Sequence, residues 1–160
     1  MSNLKIGEKA PEFLIEVSEG KNVSLEELKG KYIVLYFYPK DDTPGCTLEA
    51  MDFNELLPEF HLLNTVVLGV SRDDLRSHNK FKDKYNLKFN LGSDLEGGTC
   101  SKYAVWVEKS MFGKKYMGVN RATFLIDPQG KIAHIWPKVS VEGHAREVLD
   151  KIRALSKVHL

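Results

Sequence analysis

KYIVLYFYPKDDTPGC, running from Lys31 to Cys46, decides the fold. Its first half, Tyr32 to Tyr38, is β-branched, aliphatic and aromatic at odd and even positions alike, so both faces of a strand built from it must be buried. That pattern belongs to the middle of an α/β sheet. Its second half, Pro39 to Gly45, is turn chemistry that delivers a cysteine to the start of a helical pattern. Thr65–Val70 reads as a second central strand. Ala122–Ile126 and Lys131–Trp136 flank Asp127-Pro-Gln-Gly130, a β-turn signal that makes them an antiparallel hairpin. Helical patterns occupy Thr47–Phe60, Asp73–Tyr85, Leu95–Tyr103 and Glu142–Leu155. Val107–Asn120 (VEKSMFGKKYMGVN) reads as one long irregular stretch.

The resulting order, β-α-β-α-β-α-β-β-α, predicts an α/β fold with a central mixed sheet flanked by helices and right-handed crossovers in its parallel part. This is a thioredoxin-like topology with an N-terminal extension, expected to form a single domain over residues 1–160. Hydrophobic residues at 42% and charged residues at 28% are usual for a globular chain of 160 residues. With 23 basic and 22 acidic residues interleaved, the net charge of +1 gives no footprint for nucleic acid or an anionic membrane. MSNLKIGEKAPEF has no apolar stretch after Lys5, and Tyr32–Tyr38 falls far short of the ~20 residues that span a bilayer. A cytoplasmic location is the expectation. Cys46 and Cys100 are too few and too far apart for a disulfide framework or a CxxC pair, and the histidines (His61, His78, His134, His144, His159) lack ligand spacing. No metal or cofactor is expected.

Reactive groups in an open α/β sheet collect beyond the carboxyl ends of its strands, where Cys46 falls. The unpaired N–H groups of a helix start favour an anion there. Bringing an ordinary thiol from a pKa of about 8.5 to about 6 takes about 3.4 kcal/mol. A helix terminus supplies about 0.3–1, at most about 2 kcal/mol. A cation must therefore complete the stabilisation, and Arg121, entering the Ala122–Ile126 strand from the same edge of the sheet, is the candidate. The competing reading is an inert buried thiol, with Thr43 a mere helix cap and Arg121 a solvated strand end.

Pro39-x-x-x-Thr43-x-x-Cys46 together with Arg121 in Gly118–Asp127 resembles the active-site pattern of peroxiredoxins. The stretches YFYPKDDTPGCTLEA, SHNKFKDKYNLKFNLGSD and KSMFGKKYMGVNRATFLIDPQGKI resemble the bacterioferritin-comigratory-protein, or peroxiredoxin Q, branch. The likeness runs from Ile6 to the last helix. It implies a thiol-dependent peroxidase that reduces hydrogen peroxide and organic hydroperoxides, recycled by thioredoxin or another thiol, acting as monomer or homodimer. Cys46 would attack the peroxide and become a sulfenic acid. Thr43 would hydrogen-bond the sulfur and the incoming peroxide, Arg121 would stabilise charge, Pro39 would shield the site, and the Gly45 and Cys46 N–H groups would position the substrate. Glu49 matches a position that orients the arginine, although a first-turn glutamate also simply suits the helix dipole. Two other functions share the fold: a thioredoxin-like thiol–disulfide carrier, disfavoured by the missing CxxC and by Ala122 where thioredoxins have proline, and a non-enzymatic redox sensor.

Many members of this branch carry a resolving cysteine five residues after the first; here that residue is Met51, expected to fill the core. Cys100, in DLEGGTCS, is the one other thiol. It could resolve the sulfenic acid within the chain, between two chains, or not at all, and a one-cysteine cycle completed by an external thiol is favoured.

Overall fold

The computed structural model describes residues 4–157; the first three residues of the N-terminal stretch and His159 lie outside it. Strand β3 (Tyr32–Phe37) is buried at every position, as a two-faced apolar run requires. It pairs in parallel with β4 (Thr65–Ser71) and antiparallel with β8 (Ala122–Ile126), which in turn pairs with β9 (Ile132–Trp136) across the Asp127–Gly130 turn. Asp127 closes that turn by accepting the Gln129 and Lys131 N–H groups on Oδ1. Outward on the other side lie β5 (Asn90–Ser93) and the N-terminal hairpin β1 (Leu14–Ser18) and β2 (Lys21–Ser24). The seven-stranded mixed sheet has the order β2-β1-β5-β4-β3-β8-β9.

Alternation along β3 divides the interior in two. Ile33, Leu35 and Phe37 join one core with Phe13, Ile15, Tyr103 and Phe124. Val34, Tyr36 and Tyr38 join the other with Phe53, Phe60, Phe81, Val148 and Leu149. Each such fully buried side chain stabilises the fold by about 1.5–3 kcal/mol relative to exposure. The second core is covered by α1 (Pro44–Glu55), α2 (Leu57–Leu62), α3 (Leu75–Tyr85) and α5 (His144–Lys157); the first is closed by the N-terminal segment and by α4 (Gly98–Lys102). No described helix is long and apolar enough to cross a membrane.

Four expectations need correction. Helix α1 starts at Pro44, three residues before Thr47, because proline suits the first helical position and Thr43 takes the cap. The pattern reaching Phe60 is two helices, since Pro58 has no N–H to return to Asn54 and the chain breaks at Leu56. Val107–Asn120 is ordered as a hairpin, β6 (Trp106–Met111) and β7 (Lys114–Val119). Its side chains are mostly exposed or half-buried on both faces, so the hydrophobic alternation that marks a strand is missing. Met51 is 47% exposed and fills no core position.

Candidate active site

The sheet register brings the candidate residues together. Phe37 pairs with Ala122, so Arg121 enters β8 opposite the end of β3, where the chain turns into α1. Phe37 also pairs with Val70, which sets Ser71, Arg72 and Asp73 on the same edge. The first hydrogen bond of α1 runs from Thr47 N–H to the Thr43 carbonyl, leaving the Gly45 and Cys46 N–H groups ahead of it at the positive end of the helix.

Cys46 is 1% exposed. Arg121 spans it and Glu49: Nη2 donates to Cys46 Sγ at 3.3 Å and Nη1 donates to Glu49 Oε1 at 2.8 Å. Glu49 is itself buried, which excludes the solvated first-turn alternative. Its second oxygen, Oε2, has no partner. Burial therefore outweighs the arginine and raises the carboxyl from its ordinary 4.5 to about 7. For Arg121 the balance is reversed: burial opposes the charge, but Glu49 and Cys46 together hold the guanidinium above its ordinary value. Gly45 makes this approach possible, because a β-carbon there would lie 3.2 Å from Nη2.

Pro39 is half-buried and lines an open cleft of about 510 Å³ with Lys40, Arg72, Trp106, Lys109 and Met117. Thr43 caps α1 without a side-chain cap bond; its hydroxyl donates to the Lys40 carbonyl at 2.9 Å. That hydroxyl hydrogen is thus spent on the loop, and the hydrogen bond to sulfur comes from Arg121. The Thr43 lone pairs stay available as acceptors.

Sequence reasoning missed what holds the loop. Asp41 accepts from the Tyr38 hydroxyl at 2.5 Å and from Ser77 Oγ at 2.8 Å, and its Oδ2 lies 2.7 Å from His78 Nδ1. The Asp41 N–H donates to Asp73 Oδ2, which also accepts from Ser71 Oγ, and His78 Nε2 meets the Gly92 carbonyl at 3.0 Å. Asp41, Asp73 and His78 hold three ligand-type atoms within 4.8 Å. Both Asp41 oxygens and Asp73 Oδ2 are already engaged by these protein donors, so the cluster acts as an anchor for the Pro39–Thr43 segment. The only sequence signal for it was the polar content of that turn.

Cys100 is 0% exposed and belongs to the core on the opposite face of the sheet from Cys46. Burial, first, and then a hydrogen bond to the Asp94 carboxylate push its thiol well above the ordinary range.

A buried cysteine at a helix start, with a guanidinium on its sulfur and a buried acid behind the guanidinium, on a mixed sheet, suits the chemistry of a thiol-dependent peroxidase. The AhpC/TSA family model matches residues 6–135, and the chain belongs to that family, in its Bcp-type peroxiredoxin branch. Peroxiredoxin Bcp of Bacillus subtilis is 47% identical over 96% of this chain and 98% of its own length. A mutant of PrxQ from Xylella fastidiosa superposes with a TM-score of 0.92 at 39% identity, covering 98% of this chain and 99% of that one. The bacterioferritin comigratory protein of Xanthomonas campestris, studied for alkyl peroxide reduction, gives 0.89 at 40% identity, covering 96% and 97%.

Proposed function

We propose that Cys46 is the peroxidatic nucleophile of this peroxidase and that its substrates include hydrogen peroxide and organic hydroperoxides. The observation that carries the reading is the single guanidinium that bonds both Cys46 Sγ and the buried Glu49 at the start of α1. The thiolate attacks the terminal oxygen of ROOH; the S–O bond forms as the O–O bond breaks, giving Cys46–SOH and RO⁻, which takes a proton to leave as water or alcohol. Arg121 offsets the charge that moves from sulfur to the leaving oxygen. Thr43 accepts a hydrogen bond from the peroxide O–H, the Gly45 and Cys46 N–H groups orient its oxygens, Pro39 limits water, and Glu49 fixes the arginine plane.

The cycle uses one cysteine of this chain. Met51 offers no thiol, and Cys100 is held as a buried thiol in the other core, so an external thiol, thioredoxin or a similar reductant, returns Cys46 to its reduced state. Two reduced, buried cysteines suit the cytoplasm. The test is stopped-flow peroxide consumption by reduced protein. Wild type should react far faster than a free thiol and Cys46→Ser should not; retained activity in Cys46→Ser would refute the mechanism.

A further inference from the structure

Of the ten large apolar side chains exposed among the described residues, four lie on the β6–β7 hairpin: Met111, Phe112, Tyr116 and Met117. Phe112 is 98% exposed and occupies the tip with φ 52°, followed by Gly113 at φ 79°. A two-residue turn with both φ positive favours Asn-Gly, and a bulky aromatic in the left-handed region is unfavourable. Phe112 is therefore strained and buries nothing within the chain. A residue kept against both local preference and solvation points to contact with something outside.

The surrounding charge says what. Lys109, Lys114 and Lys115 stand on the hairpin, and Lys40 and Arg72 face it across the cleft that begins at Pro39. The hairpin's own acid, Glu108, is 3.6 Å from Lys115, while Lys109 has no ion pair among the described residues. The platform is basic with an apolar tip, and it reaches the loop that leads into α1: Lys109, Tyr116 and Met117 line the same cleft as Pro39 and Lys40. A partner thiol must form a disulfide with Cys46, which brings the two α-carbons within about 7 Å, so the partner must rest on the residues around the start of α1.

Resting on the one-cysteine reading above, we propose that the β6–β7 hairpin is the docking platform for a dithiol reductant protein whose active face is acidic around an apolar patch, with Phe112 and Met111 as anchors and the lysines as steering charges. One thiolate of the reductant attacks the Cys46 sulfenic sulfur, forming the mixed disulfide as hydroxide leaves and is protonated to water. The second reductant thiol, deprotonated, then attacks its own partner's sulfur, releasing Cys46 thiolate and leaving the reductant as a disulfide.

Thioredoxin is the probe, with Phe112→Ser, Met111→Ser/Phe112→Ser and Lys114→Glu/Lys115→Glu compared with wild type. Single-turnover oxidation by peroxide and turnover with dithiothreitol should be unchanged in all of them. KM for thioredoxin should rise about tenfold, the scale of losing one or two contact anchors, and high salt should weaken wild type toward the charge-reversed variant. An unchanged KM for thioredoxin, an equal loss with dithiothreitol, or a wild type that thioredoxin does not reduce would each overturn the proposal. So would variants that lose binding to phosphatidylglycerol vesicles while their KM stays put, which would assign the tip to a bilayer. Failure of wild-type single-turnover oxidation would instead strike the peroxidase reading beneath it.

Discussion

Replacing Glu49 by glutamine isolates the electrostatic tension at the centre of the site. The carboxyl is buried, with one oxygen on Arg121 Nη1 and the other unpartnered. Its shift from 4.5 to about 7 arises first from burial and is opposed by Arg121. Between those values the folded protein keeps a proton that the unfolded chain has released. This stabilisation is fully present below about 4.5 and is lost as pH rises through about 7. At 1.36 kcal/mol per decade the whole change is about 3 kcal/mol, most of which falls between pH 5 and 8. Glutamine keeps an acceptor for Nη1 and cannot ionise.

The assay is urea unfolding of the reduced wild type and Glu49→Gln at intervals from pH 5 to 8. Other groups that titrate in this range, including His134 and His144, whose burial lowers their proton affinity, are common to both proteins and cancel in the difference. The stability of the variant relative to wild type should therefore climb by roughly 2 to 3 kcal/mol across the range. Parallel curves, differing by a constant at every pH, would refute the reasoning, because they would mean that burial of this carboxyl is not linked to its protonation.

Gly45→Ala should separate stability from activity. The backbone there is helical, so alanine should hold or raise the melting temperature, yet its β-carbon at 3.2 Å displaces the Arg121 nitrogen that bonds the sulfur. The stopped-flow rate with peroxide should fall about tenfold, for the loss of roughly 1.4 kcal/mol of transition-state stabilisation; an unchanged rate would show that this contact is not used. Cys100→Ser should turn over with dithiothreitol at the wild-type rate. Non-reducing mass spectrometry of wild type after one equivalent of peroxide should find no Cys46–Cys100 linkage, and finding one would end the one-cysteine cycle.

The parts of this molecule that could be read from its residues share a physical property: their pattern was enforced by burial on known faces. Tyr32–Phe37 could only be a central strand, and once it pairs antiparallel with Ala122–Ile126, Arg121 must come to the start of α1. Glu49 was legible only as an alternative, because nothing in a first-turn glutamate announces that the helix will turn it inward. Met51 was misassigned for the converse reason, since an apolar side chain one step off the buried face looks the same in sequence as one upon it. The β6–β7 hairpin escaped because its residues meet solvent on both faces, which removes the alternation that a strand shows when one face is covered. A hairpin that folds without that signal, and ends in a strained exposed phenylalanine, has been shaped by something other than the core. The missing alternation that hid the hairpin and the apolar tip proposed as a docking platform are therefore two expressions of one fact: this segment's hydrophobic surface is directed outward.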